Sequence, residues 1–135
     1  MSVLNGQDCV INGHSNRVFS LKFEFDQNLL ISSGWDQRII YWDIRTKKPI
    51  ESIFGCNIYG DSLDVCDGLL LACNHRQDQK IQLYDLNSRK LITSQDGSDF
   101  IWNQNEQFTT LLNFGKFDKI KGKYILTGGV GSLKD

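Results

Sequence analysis

Proline is almost missing from this sequence: Pro49 is the single one in 135 residues, which leaves little room for proline-rich linkers. Charge of one sign is missing too. The formal net charge is −1, so no global field draws the chain to nucleic acid or to an anionic membrane. Long apolar runs are absent. The longest, Leu69-Leu70-Leu71-Ala72-Cys73, is far short of the ~20 residues that span a bilayer. The stretch Met1-Ser2-Val3-Leu4-Asn5-Gly6-Gln7-Asp8 has neither a basic nor an apolar region of the secretory kind, so no signal peptide is expected.

Histidine, the residue type whose ordinary pKa lies nearest neutrality, occurs only as His14 and His75. Four cysteines (Cys9, Cys56, Cys66, Cys73) form no CxxC pair, and Cys73 with His75 supplies two ligands where a zinc site needs four. No metal and no cofactor are therefore expected. Each cysteine sits in or beside an apolar run, the setting of a small buried hydrophobe in a reducing compartment. Gly128-Gly129-Val130-Gly131-Ser132 is glycine-rich, but no GK[ST] and no helix follow, which argues against a phosphate cradle. There is no Asn-X-Ser/Thr sequon.

What is present is a repeat. Leu29 to Ile44 aligns with Leu71 to Leu86, so that Asp36 maps to Asp78, Ile39 to Ile81, Trp42 to Tyr84 and Asp43 to Asp85, each 42 residues apart. A weaker third copy starts at Tyr124-Ile125-Leu126-Thr127-Gly128-Gly129. The intervening segments read as strands. Residues 17–25 alternate Val18, Ser20, Lys22, Glu24 against Phe19, Leu21, Phe23, Phe25, and Asp26-Gln27-Asn28 is a turn cluster. Short strands with turns every 8–12 residues predict an all-β sandwich, barrel or propeller.

Gly13-His14, Ser32, Asp36 and Trp42-Asp43 together resemble one full WD40 repeat. The resemblance implies an all-β, partial WD40-type β-propeller of four-stranded antiparallel blades. It places an outer strand of a preceding blade at 8–12, blade one at 13–54, a degenerate blade two at 55–94 and a truncated blade three at 95–135. Strands are then expected near 17–25, 29–33, 38–44 and 50–54, near 61–66, 69–74, 80–86 and 91–94, and near 108–114 and 124–128. It also implies a structural network of His14, Ser32, Asp36 and Trp42: the Asp36 carboxylate accepts from one ring nitrogen, the other ring nitrogen takes the Ser32 hydroxyl, and that oxygen accepts the Trp42 indole N–H. Such a chain satisfies buried polar groups and fixes strand register. In blade two Cys56 stands in the His position, Asn74 in the Ser position and Tyr84 in the Trp position, leaving Asp78 alone. Gly60 to Val65 resembles a variant blade of some protist and ciliary WD-repeat proteins.

His14, Ser32 and Asp36 are also the residue types of a catalytic triad. Ser32 lacks a nucleophile elbow and an oxyanion-hole signature, so the chain is expected not to be an enzyme. Two blades and part of a third cannot close a ring. The chain therefore reads as a fragment or subunit of a larger assembly. Phe19, Leu21, Phe23, Ile31, Leu69, Leu71, Leu111, Leu112 and Phe114 are expected on its inter-blade faces.

Function then falls to the loops. Under the family's topology one face gathers Arg45, Lys47, Lys48, Arg89, Lys90, Lys116, Lys119, Lys121 and Lys123, opposed mainly by Asp26, Asp67 and Asp118. The other carries Asp61, Asp96, Asp99 and Glu106, with Trp35, Tyr59, Arg76, Phe100 and Trp102 as candidate contacts for a protein partner. The expectation is a non-catalytic scaffold for other proteins, in the cytoplasm, with a cytoskeletal or ciliary setting as its finer form. The alternative is a nucleic-acid-binding β module using the basic loops.

Overall fold

The structure, a computed structural model, describes residues 13–95, 108–119 and 124–133. The outer strand expected at 8–12 lies outside them. Every described element is a strand: β1 (Val18–Glu24), β2 (Leu29–Gly34), β3 (Arg38–Asp43), β4 (Lys48–Phe54), β5 (Leu63–Cys66), β6 (Leu69–Cys73), β7 (Ile81–Asp85), β8 (Leu91–Gln95), β9 (Phe108–Phe117) and β10 (Ile125–Leu133). They form two four-stranded antiparallel meanders, β1-β2-β3-β4 and β5-β6-β7-β8, and a two-stranded β9–β10 ribbon. The turns between strands use backbone that most residues avoid: Asn28, Gln37, Lys47, Asp67, Gln79 and Arg89 all have positive φ. Asn and Asp tolerate that region best, which is why Asp26-Gln27-Asn28 reads as a turn. The glycine run at 128–131 lies within β10, which is longer than its repeat suggests. A register shift between Gly128 and Gly129 accommodates it, and a Cβ on Gly129 would overlap the Leu111 carbonyl oxygen across the ribbon.

The three sheets stack face to face, and the middle one explains the longest apolar run. In β6, Leu70 and Ala72 point into a core shared with the first sheet, alongside Ile31, Ile39, Tyr41, Ile58, Leu63, Val65 and Tyr84. Leu69, Leu71 and Cys73 point the other way, into a second core with Ile81, Leu112 and Phe117. A strand buried on both faces loses its alternation and becomes continuously apolar.

The residues expected on inter-blade faces separate along this division. Ile31, Leu71 and Leu112 are fully buried between sheets. Phe19, Leu21 and Phe23 are exposed, because β1 turns its polar edge inward. Ser20 on that edge is buried, donates to Asp61 Oδ1 at 3.0 Å and accepts the Leu63 N–H at 3.2 Å.

Close approach at the second junction makes a test. A Cβ on Gly115 of β9 would overlap Cys73 Sγ. Gly115→Ala should lower unfolding free energy by about 1–3 kcal/mol, the range for overpacking a core. In a double-mutant cycle by urea titration, Cys73→Ala, which removes the sulfur, should recover most of that loss. Additive effects of the two changes would contradict the contact.

Candidate functional site

The structure brings His14, Ser32, Asp36 and Trp42 together. His14 sits in the segment before β1, Ser32 on β2, Asp36 in the β2–β3 turn and Trp42 on β3. His14 Nδ1 lies 2.7 Å from Asp36 Oδ2, His14 Nε2 lies 2.7 Å from Ser32 Oγ, and the Trp42 indole N–H donates to Ser32 Oγ at 2.8 Å. Asp36 also accepts the Ser15 and Arg38 backbone N–H groups, which ties the chain ahead of β1 to the β2–β3 turn. Both partners of the His14–Asp36 pair have nearly inaccessible side chains. Ser32 is itself buried, with its oxygen occupied by two partners, so it offers no reachable nucleophile.

The second sheet builds a different network. Cys56 and Asn74 stand where the repeat places His and Ser, yet the centre is Gln82. Its Oε1 accepts from Cys56 Sγ at 2.7 Å, Asn74 Nδ2 at 2.8 Å and the Tyr84 hydroxyl at 3.2 Å. Asn74 further accepts the Asn57 N–H and donates to the Gln79 carbonyl, holding the chain ahead of β5 to the β6–β7 turn. Asp78, the residue the repeat seemed to keep, takes no part: it is exposed and pairs with Arg76 at 3.0 Å. With no imidazole to donate to it, that carboxylate has no reason to stay inside. Gln82 carried a sequence signal, since a glutamine replaces Ile40 of the first copy in an apolar strand.

Burial decides the chemistry of these thiols. It pushes Cys56 up to about 12, against a smaller opposite effect of the Tyr84 hydrogen bond, and pushes Cys73 up to about 12 as well. Burial also raises Tyr84 and Tyr41 well above the ordinary phenol value.

Of the candidate protein contacts, Trp35 and Tyr59 join a ring cluster across the first two sheets. Trp35 lies 5.2 Å from Phe19 and 5.0 Å from Tyr59, Tyr59 stacks on His75 at 4.2 Å, and Arg17 lies over Trp35 at 5.3 Å. Trp35 is thus half-buried in its own fold, and its indole N–H is buried without a partner. Arg76 is exposed. Phe100 and Trp102 lie outside the described residues.

The basic face is corrected most. Lys116 is not on a loop: it lies in β9 and reaches Asp61 Oδ2 at 2.7 Å, the very carboxylate assigned to the opposite, acidic face. Arg89 pairs with Glu51, Arg45 with Asp43, and Lys119 with Asp64, whose side chain is almost inaccessible. Lys47, Lys48 and Lys90 are exposed. Lys121 and Lys123 lie outside the described residues.

Two measurements follow. His14→Ala leaves Asp36 and Ser32 short of a partner and should cost about 1–3 kcal/mol in a denaturant titration; an unchanged midpoint would refute the network's contribution. In a Cys9→Ser background at pH 8, a maleimide should modify Cys66 while the native fold protects Cys56 and Cys73. A raised thiol pKa withholds the reactive thiolate until the pH climbs through it, so at pH 8 both buried sulfurs stay protonated. Peptide mapping that finds Cys56 labelled as fast as Cys66 would contradict this.

Comparison with known proteins fits this geometry. The family model "WD domain, G-beta repeat" matches residues 7–43, the stretch that holds His14, Ser32, Asp36 and Trp42. The antiviral protein SKI8 of Saccharomyces cerevisiae is 32% identical over 62 residues, 46% of this chain and 15% of that protein. The small ribosomal subunit protein RACK1 of Drosophila melanogaster is 26% identical over 92 residues, 67% of this chain and 29% of that protein. The chain thus spans less than a third of the length of either curated relative. Among solved structures, a chain of the crystal structure of the mitotic checkpoint complex superposes with a TM-score of 0.68 at 19% identity, covering 87% of this chain and 33% of that one. With its four-stranded antiparallel sheets and a stretch at 7–43 that matches the WD40 repeat, the chain is similar to WD-repeat β-propellers.

Proposed function

We propose that the chain serves as a non-catalytic scaffold for other proteins, and that it works as part of a larger propeller or assembly. One observation carries this: the outer face of the first blade is apolar and bare. Leu21 is 54% exposed, Phe23 53% and Phe25 76%. Beside them a depression of about 320 Å³ is lined by Phe23, Leu30, Trp42, Asp43, Ile44 and Lys47. Contiguous apolar patches of this kind mark surfaces that another protein covers. At the other end, β10 is an edge strand whose Leu126 and Val130 are exposed, and an edge offers unpaired N–H and C=O groups. The covering groups are further blades, in the same polypeptide or brought by another subunit. A relative that is a ribosomal-subunit protein and a fold neighbour from a multi-protein complex support that setting.

The nucleic-acid alternative has less support. Arg45, Arg89, Lys116 and Lys119 are each held by a carboxylate, so the basic loops offer fewer free cations than their sequence suggests. A cytoplasmic setting fits the three free cysteines among the described residues, two of them buried. Neither curated relative bears on the ciliary or cytoskeletal form of that reading.

Burying one such side chain is worth roughly 1.5–3 kcal/mol, against a net stability of only ~5–15 kcal/mol for a typical domain. The isolated 135 residues should therefore self-associate, and sedimentation velocity should show a concentration-dependent shift to larger species. Leu21→Lys with Phe23→Lys should suppress it. A monodisperse monomer with a cooperative thermal transition would overturn the proposal.

A further inference from the structure

We infer that Lys22 and Lys116 form a binding site for a phosphoryl oxyanion on the innermost strands of the blades. The first strands of the three sheets, β1, β5 and β9, lie side by side, and in a propeller such strands line the central channel. Lys22 of β1 and Lys116 of β9 converge from opposite sides on one carboxylate, Asp61, at 3.0 and 2.7 Å.

Charge does not balance there. Asp61 neutralises one of the two cations. The next carboxylate along β5, Asp64, is taken by Lys119 Nζ at 3.3 Å and by the Phe117 N–H at 2.9 Å. Lys22 and Lys116 thus share one carboxylate, and their side chains are only 23% and 24% exposed. Two half-buried cations that share one carboxylate are costly, and such arrangements concentrate at functional sites.

Geometry leaves the site open to a ligand. An ammonium group carries three donors. Lys22 spends one on Asp61, and Lys116 spends one on Asp61 and one on the Leu63 carbonyl at 3.1 Å, so half of their combined donors remain for an incoming acceptor. Asp61 is 51% exposed, which leaves the pair approachable from its side. A phosphoryl group carries about −1.5 to −2 charge at pH 7 with three acceptor oxygens, which answers both the surplus charge and the unused donors. Lysine commonly binds phosphate as a point charge.

The test uses sodium pyrophosphate and the full 135-residue chain, by isothermal titration at low ionic strength. One saturable site per chain is expected. Lys22→Gln and Lys116→Gln should each weaken it roughly tenfold or more, Asp61→Asn should tighten it, and Lys47→Gln with Lys48→Gln should leave it unchanged. A readout without variants guards against misfolding: pyrophosphate should protect Lys22 and Lys116, but not Lys47 or Lys48, from amine acetylation read by mass spectrometry. No saturable binding, equal weakening in the Lys47/Lys48 variant, equally tight binding of succinate, or unchanged acetylation of Lys22 and Lys116 would each overturn the site.

Discussion

A β-sheet with two apolar faces must be covered twice, and most of this structure follows from where that coverage is supplied. The middle sheet receives it from both neighbours, so its strand β6 is apolar at every position and each of its residues finds a core. Among the described residues, the first and third sheets are each covered by one other sheet. Their remaining faces keep apolar residues at the surface, with Phe23 and Phe25 stacked on each other 5.5 Å apart in the absence of a neighbour. The same rule places the polar networks. The Gln82 network lies on the face of the middle sheet that the first sheet seals, which is why Cys56 and Tyr84 are buried in the shared core. The His14 network lies on the corresponding face of the first sheet, against which no other described strand packs, and Trp42 there is only partly covered.

This explains how far the sequence could be read. The 42-residue repeat located both four-stranded sheets, because turn residues and strand periodicity are local properties that one segment carries by itself. Which face of a strand is covered is not local. The alternation in residues 17–25 marks a strand with one apolar side, but it cannot say whether the apolar or the polar side meets the next blade. In β1 the polar side does, through Ser20 and Lys22. Ile31 and Leu21 look equally apolar in sequence, yet one is fully buried and the other is more than half exposed.

The charged residues do not sort by loop, for a related reason. Sorting lysines by loop treats each hairpin tip as independent, whereas strands of neighbouring blades are staggered along their length. Asp61 precedes β5 and Lys116 is near the end of β9, so a topology diagram sends them to opposite faces. The stagger instead sets them side by side, and the Gly115 N–H reaches the Asp61 carbonyl at 3.4 Å. Burial alone would raise the Asp61 carboxyl, but the hydrogen bonds from Lys116, Lys22 and Ser20 outweigh it and hold the group below the usual carboxylate range. That bond set favours the folded chain at neutral pH and is lost as acid protonates Asp61 through its lowered value.

The two polar networks show what the repeat preserves and what it does not. In each blade the segment ahead of the first strand must be tied to the turn between the second and third, and buried polar atoms along that tie must find partners. The first blade does this with an imidazole, which bridges a carboxylate to a hydroxyl because its two ring nitrogens point apart. The second blade has no imidazole. Asn74 then takes over the tie by bonding Asn57 and Gln79 directly, and Gln82 enters to give the Cys56, Tyr84 and Asn74 donors a common acceptor. Once that acceptor is inside, an ionised Asp78 beside it would place a charge near an oxygen already saturated by three donors. Burying such an unpaired charge costs far more than an exposed ion pair with Arg76 returns. Retention of an aspartate in the repeat therefore does not imply retention of its role, because the role belonged to the pair it made with histidine.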